Sequence, residues 1–132
     1  EGKALDIIKE AIGIEALYFN EKPKGLNYDN IEVDKETGWG QIYYVYNGLV
    51  VTVNMQKTYG SVSITTYYDG EEISSSQEEL YDGTPVIVRK IQRDAEHTAY
   101  ALEFERNSAF YSVIGDVPEE VFNELIENIR FW

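Results

Sequence analysis

The sequence predicts an α+β fold, a twisted and mostly antiparallel sheet of six to seven strands with an N-terminal helix and a C-terminal helix packed on one face. Three observations predict it. Apolar residues recur at helical spacing at both ends of the chain, in Ala4–Ile12 and again from Val117 to Ile129. Between them, Asn47-Gly48 separates two alternating runs, and type I′ hairpin turns favour that dipeptide because both central residues need positive φ. Finally, Tyr100, Leu102 and Phe104 alternate with smaller or charged residues, turn at Asn107-Ser108, and resume at Tyr111 and Val113.

Taken in order, Ala4, Leu5, Ile8, Ala11 and Ile12 form the apolar stripe of a short helix that Gly13 stops. Glu15 to Asn30 has no firm period, so it reads as a connection with a brief strand at Ala16–Phe19. Ile31–Lys35 alternates weakly. In the Gln41–Tyr46 and Leu49–Met55 hairpin, Ile42, Tyr44, Tyr46, Leu49, Val51, Val53 and Met55 share one face. Tyr43, Val45 and Val50 make the other face partly apolar, so cover on both sides is expected.

Ser61–Tyr68 reads as a one-sided strand that Asp69-Gly70 turns back into Glu71–Ser74. Ser74 to Glu79 reads as a loop or one helical turn, since Ser-x-x-Glu can cap a short helix. Asp82-Gly83 leads into Pro85–Gln92, where proline suits a strand's first residue. Asp94–Thr98 is a polar turn before Ala99–Arg106 and Phe110–Ile114. The closing helix has Pro118 at its first position, where a missing N–H costs nothing, with Glu119 and Glu120 at the positive end of the helix dipole. Its stripe is Val117, Val121, Leu125 and Ile129, widened by Phe122 and Ile126.

One domain spanning 1–132 is the expected organisation, large enough to remove roughly two-thirds of its unfolded surface from water. No run approaches the ~20 apolar residues that a membrane helix needs. The opening at Glu1, without methionine, reads as a processed piece, with any signal or anchor outside it. Cysteine is absent, which removes disulfides and thiolate zinc sites. Net charge is −13, of which −3 falls in residues 1–66 and −10 in residues 67–132. Such a surface repels phosphate backbones and anionic lipid, so neither nucleic acid nor direct binding to an anionic membrane is expected. If charge contributes to recognition, the partner's surface should be basic.

The sequence offers little chemistry. His97 is the sole histidine, in a polar turn where Asp94 or Glu96 could partner it, and an exposed turn residue is the favoured reading. No phosphate-binding loop, zinc-protease motif or nucleophile elbow occurs. Asp29, Glu32, Asp34 and Glu36, and separately Asp69, Glu71 and Glu72, lack the spacing of a calcium loop. No catalytic residue, metal or cofactor is therefore expected, and the chain reads as a non-enzyme. Tyrosine is abundant at eleven residues, which fits strand propensity and core-rim packing better than a ligand face. Trp39, between Gly38 and Gly40, is the expected exposed aromatic, and Trp39 and Tyr43 are the candidate binding residues.

Tyr81-Asp82-Gly83-Thr84-Pro85-Val86, then Ala99 to Asn107, Phe110 to Gly115 and Pro118 to Ile126 form a recognisable series. Over residues 81–131 it resembles an extracytoplasmic domain of unknown function from Gram-positive bacteria. That domain is related to C-terminal domains of anti-sigma-factor-like membrane proteins. The resemblance rests on packing residues and transfers no catalytic ones. It implies a location outside the membrane, secreted or anchored, and a sensing or protein-interaction role. The alternative is a carrier of a small apolar ligand or lipid, in a cavity between curved sheet and helix. A closed core favours recognition at the surface, whereas an apolar cavity lined by Tyr44, Val51 or Leu102 favours the carrier.

Overall fold

The computed structural model describes residues 1–58 and 70–132. Helix α1 (Gly2–Ile12) ends where Gly13 turns left-handed at φ 79° and returns its N–H to the Lys9 carbonyl. Among the described residues nine strands follow: β1 (Leu17–Phe19), β2 (Leu26–Asp34), β3 (Trp39–Tyr46), β4 (Leu49–Lys57), β5 (Glu71–Glu79), β6 (Pro85–Gln92), β7 (Thr98–Arg106), β8 (Ala109–Gly115) and, after helix α2 (Glu119–Glu127), β9 (Ile129–Phe131). Seven of them make one antiparallel sheet in the order β2-β3-β4-β8-β7-β6-β5, while β1 and β9 pair as a small separate ladder. The α+β architecture is as the sequence predicts. The expected strand Ser61–Tyr68 lies outside the described residues.

Register sorts the side chains into two faces. Ile42, Val53, Val113 and Leu102 lie along one cross-strand row, and Tyr44, Val51 and Gly115 along the next. These residues are buried, and both helices cover this inner face with Leu5, Ile8, Ile12, Phe122, Leu125 and Ile126. Gly40 allows α1 to lie close, because a Cβ there would sit 2.7 Å from Cδ1 of Ile12. On the outer face a small second cluster of Ile91, Ala99 and Ala101 is buried with Ile114 against it.

The hairpin turn forms as read, with Asn47 at φ 46° and Gly48 at φ 80°. Four elements differ from the sequence expectation. First, β2 is longer than Ile31–Lys35, because its register shifts between Tyr28 and Asn30. That bulge changes the phase, so Leu26, Tyr28, Ile31 and Val33 face inward without a regular alternation. Second, β5 is one continuous strand, although Ser74–Glu79 read as loop or helix. Eight registered pairs with β6 override its weak intrinsic propensity.

Third, α2 stops at Glu127, and Ile129 belongs to β9. Asn128 closes the helix with its N–H on the Leu125 and Ile126 carbonyls, and the backbone continues extended against β1. Pro118 is the N-cap rather than the first helical residue, and its carbonyl accepts the N–H groups of Val121 and Phe122. Leu125 and Ile129 are buried as expected, but Val121 is only half-buried, and Phe122 fills the place it was given. Fourth, neither helix covers the hairpin's outer face, where Val50 is exposed and Tyr43, Val45 and Thr52 are half-buried.

Leu125 has no exposed surface, so Leu125→Ala should cost about 2–5 kcal/mol in urea melts. A loss below about 0.5 kcal/mol would show that α2 does not present this face to the sheet. Burial and the Glu1 carboxylate push the Tyr44 hydroxyl far up, and burial with the nearby Glu15 does the same for Tyr111. A raised folded pKa means stability that is full below the unfolded value of about 10 and declines as pH rises beyond it. Urea melts from pH 9 to 12 should show that decline, and it should be shallower in Tyr44→Phe.

Candidate interaction surface

The alternation of β3 sends Trp39, Gln41, Tyr43 and Val45 to the outer face, so both aromatic candidates share one side of one strand. Four residues of strand separate them by about 13 Å. Trp39 stands between Asp34 and Gln56 and is half-buried. Its flanking glycines, Gly38 and Gly40, are buried, which seats the ring lower than the expected exposed aromatic. Among the described residues the exposed aromatic side chains are Tyr81 and Trp132.

Tyr43 is held in a polar chain. Its hydroxyl donates to Oε1 of Gln41, and Nε2 of Gln41 donates to Oδ1 of Asn54 at 2.7 Å across the hairpin. Burial raises its pKa first, and the Glu32 carboxylate adds to that. The ring is thus positioned rather than free to adapt. Farther along the same face, Arg89 of β6 bridges Glu72 of β5 at 2.7 Å and Glu103 of β7. The outer face therefore combines fixed aromatics with paired charges.

Clefts open at the sheet's margins, and three of them are lined among the described residues. One of about 290 Å³ is lined by Gln77, Val86, Phe104 and Phe110. A second, of about 330 Å³, reaches from Leu49 past His97 and Tyr100 to the start of α2. The third, of about 380 Å³, lies between β5 and α2, with Val88 and Tyr100 beneath it and Asn123 and Ile126 along its side. None of the three is lined by Tyr44, Val51 or Leu102.

His97 is exposed, with Nδ1 2.7 Å from Oδ2 of Asp94. Asp94 also accepts the N–H groups of Glu96 at 2.8 Å and of His97 at 2.9 Å through Oδ1, so the pair builds a turn. The neighbouring hydroxyl, Thr98 Oγ1, donates to Gln92 instead of His97. The acidic run of Asp29, Glu32, Asp34 and Glu36 is exposed along an edge, and Oδ1 of Asp34 is occupied by the N–H groups of Glu36 and Thr37. Asp69 lies outside the described residues, and Glu72 is held by Arg89. Among the described residues no three His, Asp or Glu side chains converge to hold a metal ion. No helix among them is long and apolar enough to cross a membrane.

What the sequence missed is the β5 margin, because a run of Ser and Glu between turns carries no alternation. The available signal was the absence of any apolar face between Ser74 and Glu79, which is the pattern of a strand buried on neither side.

These features define, among the described residues, a one-sided antiparallel sheet roofed by two helices. The chain belongs to a family described as a domain of unknown function, DUF4367, whose pattern matches residues 16–129. That match reaches well beyond the residues 81–131 on which the sequence resemblance rested. No curated protein matches in sequence. Among solved structures the chain is similar to one in the crystal structure of MucB in complex with MucA(peri), at 13% identity and a TM-score of 0.41, covering 88% of this chain and 36% of that one. It is also similar to a chain of the Pseudomonas aeruginosa MucA/MucB complex, with the same identity and score, covering 88% and 35% respectively. It thus spans about a third of those chains, and a likeness this distant transfers no function.

The Asp94 turn makes a defined prediction. The Glu96 N–H and the His97 ring hold the carboxyl below its ordinary pKa. A depressed folded value means a contribution present above the unfolded pKa of about 3.9 and lost as pH falls through the folded one. Carboxyl titration by NMR should place Asp94 low, and His97→Ala should raise it only part of the way, because the backbone bonds remain. An ordinary value in the unmodified protein would show that the turn is not closed.

Proposed function

We propose that this domain is a non-catalytic module for sensing or protein interaction, acting outside the membrane and tethered by a segment beyond these residues. The observation that carries the reading is the closed inner core. Tyr44, Val51 and Leu102, the residues that would line a carrier's cavity, have no exposed surface and belong to one packed cluster with both helices. Among the described residues, the space around these three is filled by side chains of this chain, which favours the interaction reading over the carrier. Recognition then falls to the surface, where the sheet's outer face is open among the described residues. Histidine bound up in a solvent-exposed turn supports the absence of catalysis.

The partner in this reading is a protein with a basic contact surface, and neither nucleic acid nor anionic lipid. Attraction between opposite charges speeds encounter, and it weakens as the Debye length falls from about 10 Å at 0.1 M salt to about 3 Å at 1 M.

Two measurements test this. Fatty acids and phospholipid micelles should leave the melting temperature unchanged; a rise that grows with ligand concentration would establish the carrier instead. Association with a cationic protein partner should slow as salt rises. Tight, salt-sensitive binding to DNA or to anionic vesicles would overturn the assignment.

A further inference from the structure

We infer that the cleft between the β6–β7 turn and the start of α2 receives an arginine side chain presented by a partner protein, with its stem on Leu49, Tyr100 and Val117 and its guanidinium between Glu96 and Glu119. The inference rests on the interaction reading above and narrows it to one cleft and one kind of side chain. The cleft holds about 330 Å³, and its lining lies among the described residues. Three parts of the chain build it: Leu49 at the start of β4, Glu96 to Tyr100 at the turn into β7, and Asp116 to Glu119 at the entry to α2.

The apolar part of the lining is fixed. Val117 is buried, and the half-buried Tyr100 ring leans on Phe122 with centroids 5.7 Å apart. Leu49 adds an exposed apolar side chain beside them. The turn that carries Glu96 is held by Asp94, whose Oδ1 accepts the N–H groups of Glu96 at 2.8 Å and His97 at 2.9 Å. Oδ2 of Asp94 also lies 2.7 Å from Nδ1 of His97, which ties the ring back to the turn. At the entry to α2, the Pro118 carbonyl accepts the N–H groups of Val121 and Phe122. A receptor already ordered in this way loses little conformational freedom when its occupant arrives.

Charge selects the occupant. Three carboxylates line the cleft, and Asp116 is already engaged by Nε of Arg93 at 2.7 Å. Glu96 and Glu119 are exposed, and among the described residues neither carboxylate has a partner. The positive end of the α2 dipole, about half a charge, opposes a cation, and Glu119 together with Glu120 outweighs it. Such a rim repels phosphate and carboxylate ligands. Among the described residues no three His, Asp or Glu side chains converge to hold a metal ion. Apolar surface beside two unengaged carboxylates suits a side chain that is apolar along its stem and cationic at its tip. Arginine fits better than lysine, because its planar guanidinium donates in several directions and packs flat on an aromatic ring such as that of Tyr100.

The test uses the isotopically labelled chain at low salt and two capped pentapeptides whose central residue, arginine or citrulline, stands between leucines. Citrulline keeps the shape and loses the charge. The arginine peptide should shift the amide signals of Glu96, His97 and Glu119 and the ring signals of Tyr100, with a Kd on the order of 1 mM. The citrulline peptide should bind about fivefold more weakly. Glu96→Gln with Glu119→Gln should keep the parent melting curve, since both side chains are exposed, and should weaken the arginine peptide about fivefold. Glu21→Gln with Glu36→Gln removes the same charge from exposed positions outside the cleft and should change binding less than about twofold.

Equal weakening by the two glutamine pairs would show attraction to net charge alone and overturn the cleft assignment. Equal binding of the citrulline peptide, shifts confined to the Trp39 and Tyr43 face, or no shift at about 10 mM peptide would overturn it too. Each of these results leaves the interaction module standing. Shifts of the Val51 and Leu102 methyl signals that follow added fatty acid would overturn that module, and this inference with it.

Discussion

Phe104, Tyr111 and Phe131 form the contact on which the rest of the molecule depends. Phe104 and Tyr111 are cross-strand partners of β7 and β8, stacked with their rings 5.1 Å apart. Phe131 meets both edge-on, at 5.9 Å and 5.4 Å, with the Arg106 guanidinium 3.8 Å above its ring. Such ring pairs contribute roughly 0.5–1.5 kcal/mol each beyond the area they bury. Tyr111 also donates its hydroxyl to the Glu15 carbonyl at 2.6 Å, which draws the approach to β1 into the same contact. Helix α2 has nine residues and no side-chain hydrogen bond at its N-cap, and a helix so short does not stand alone in water. It is held because β8 precedes it and β9, pinned by Phe131, follows it.

From that anchorage comes the asymmetry of the sheet. Both helices spend their apolar stripes on one face, and the face they roof is dry. The opposite face takes polar and aromatic residues that bond to one another, such as Tyr43, Gln41 and Asn54, together with the Arg89 bridge to Glu72 and Glu103. A ligand cavity and a well-filled core compete for the same volume, and around Tyr44, Val51 and Leu102 side chains have taken it.

Much of this was legible wherever the information was local. Asn47-Gly48 specified its turn through φ alone, and the alternation of Tyr100, Leu102 and Phe104 matched the face they bury. The parts that were not legible are those decided by distant partners. A bulge near Asp29 broke the period of β2, so a nine-residue strand looked like half of one. Ile129 continues the helical spacing of Leu125, and only the presence of β1 on the far side of the chain turns it into a strand. Ser74 to Glu79 has no preference strong enough to announce itself, and β6 recruits it. For the candidate surface, the sequence placed Trp39 and Tyr43 on one hairpin, but burial is a property of neighbours, and Trp39 sits lower than its glycine flanks suggested.

The ladder between β1 and β9 has a consequence for how the chain reaches this state. Leu17 pairs with Phe131, and the Trp132 indole donates to Asp6 across 126 positions of sequence. Loop-closure entropy grows only slowly with length, so these contacts are affordable at equilibrium, but they cannot precede the local hairpins that bring their ends together. The β3–β4 and β7–β8 hairpins can form as soon as they are made. The clamp must wait for the last three strand residues, Ile129 to Phe131, to leave the ribosome. Until then the inner face of the sheet is without its second helix and exposes its apolar rows, so the domain is most prone to aggregate in the interval before this short ladder closes.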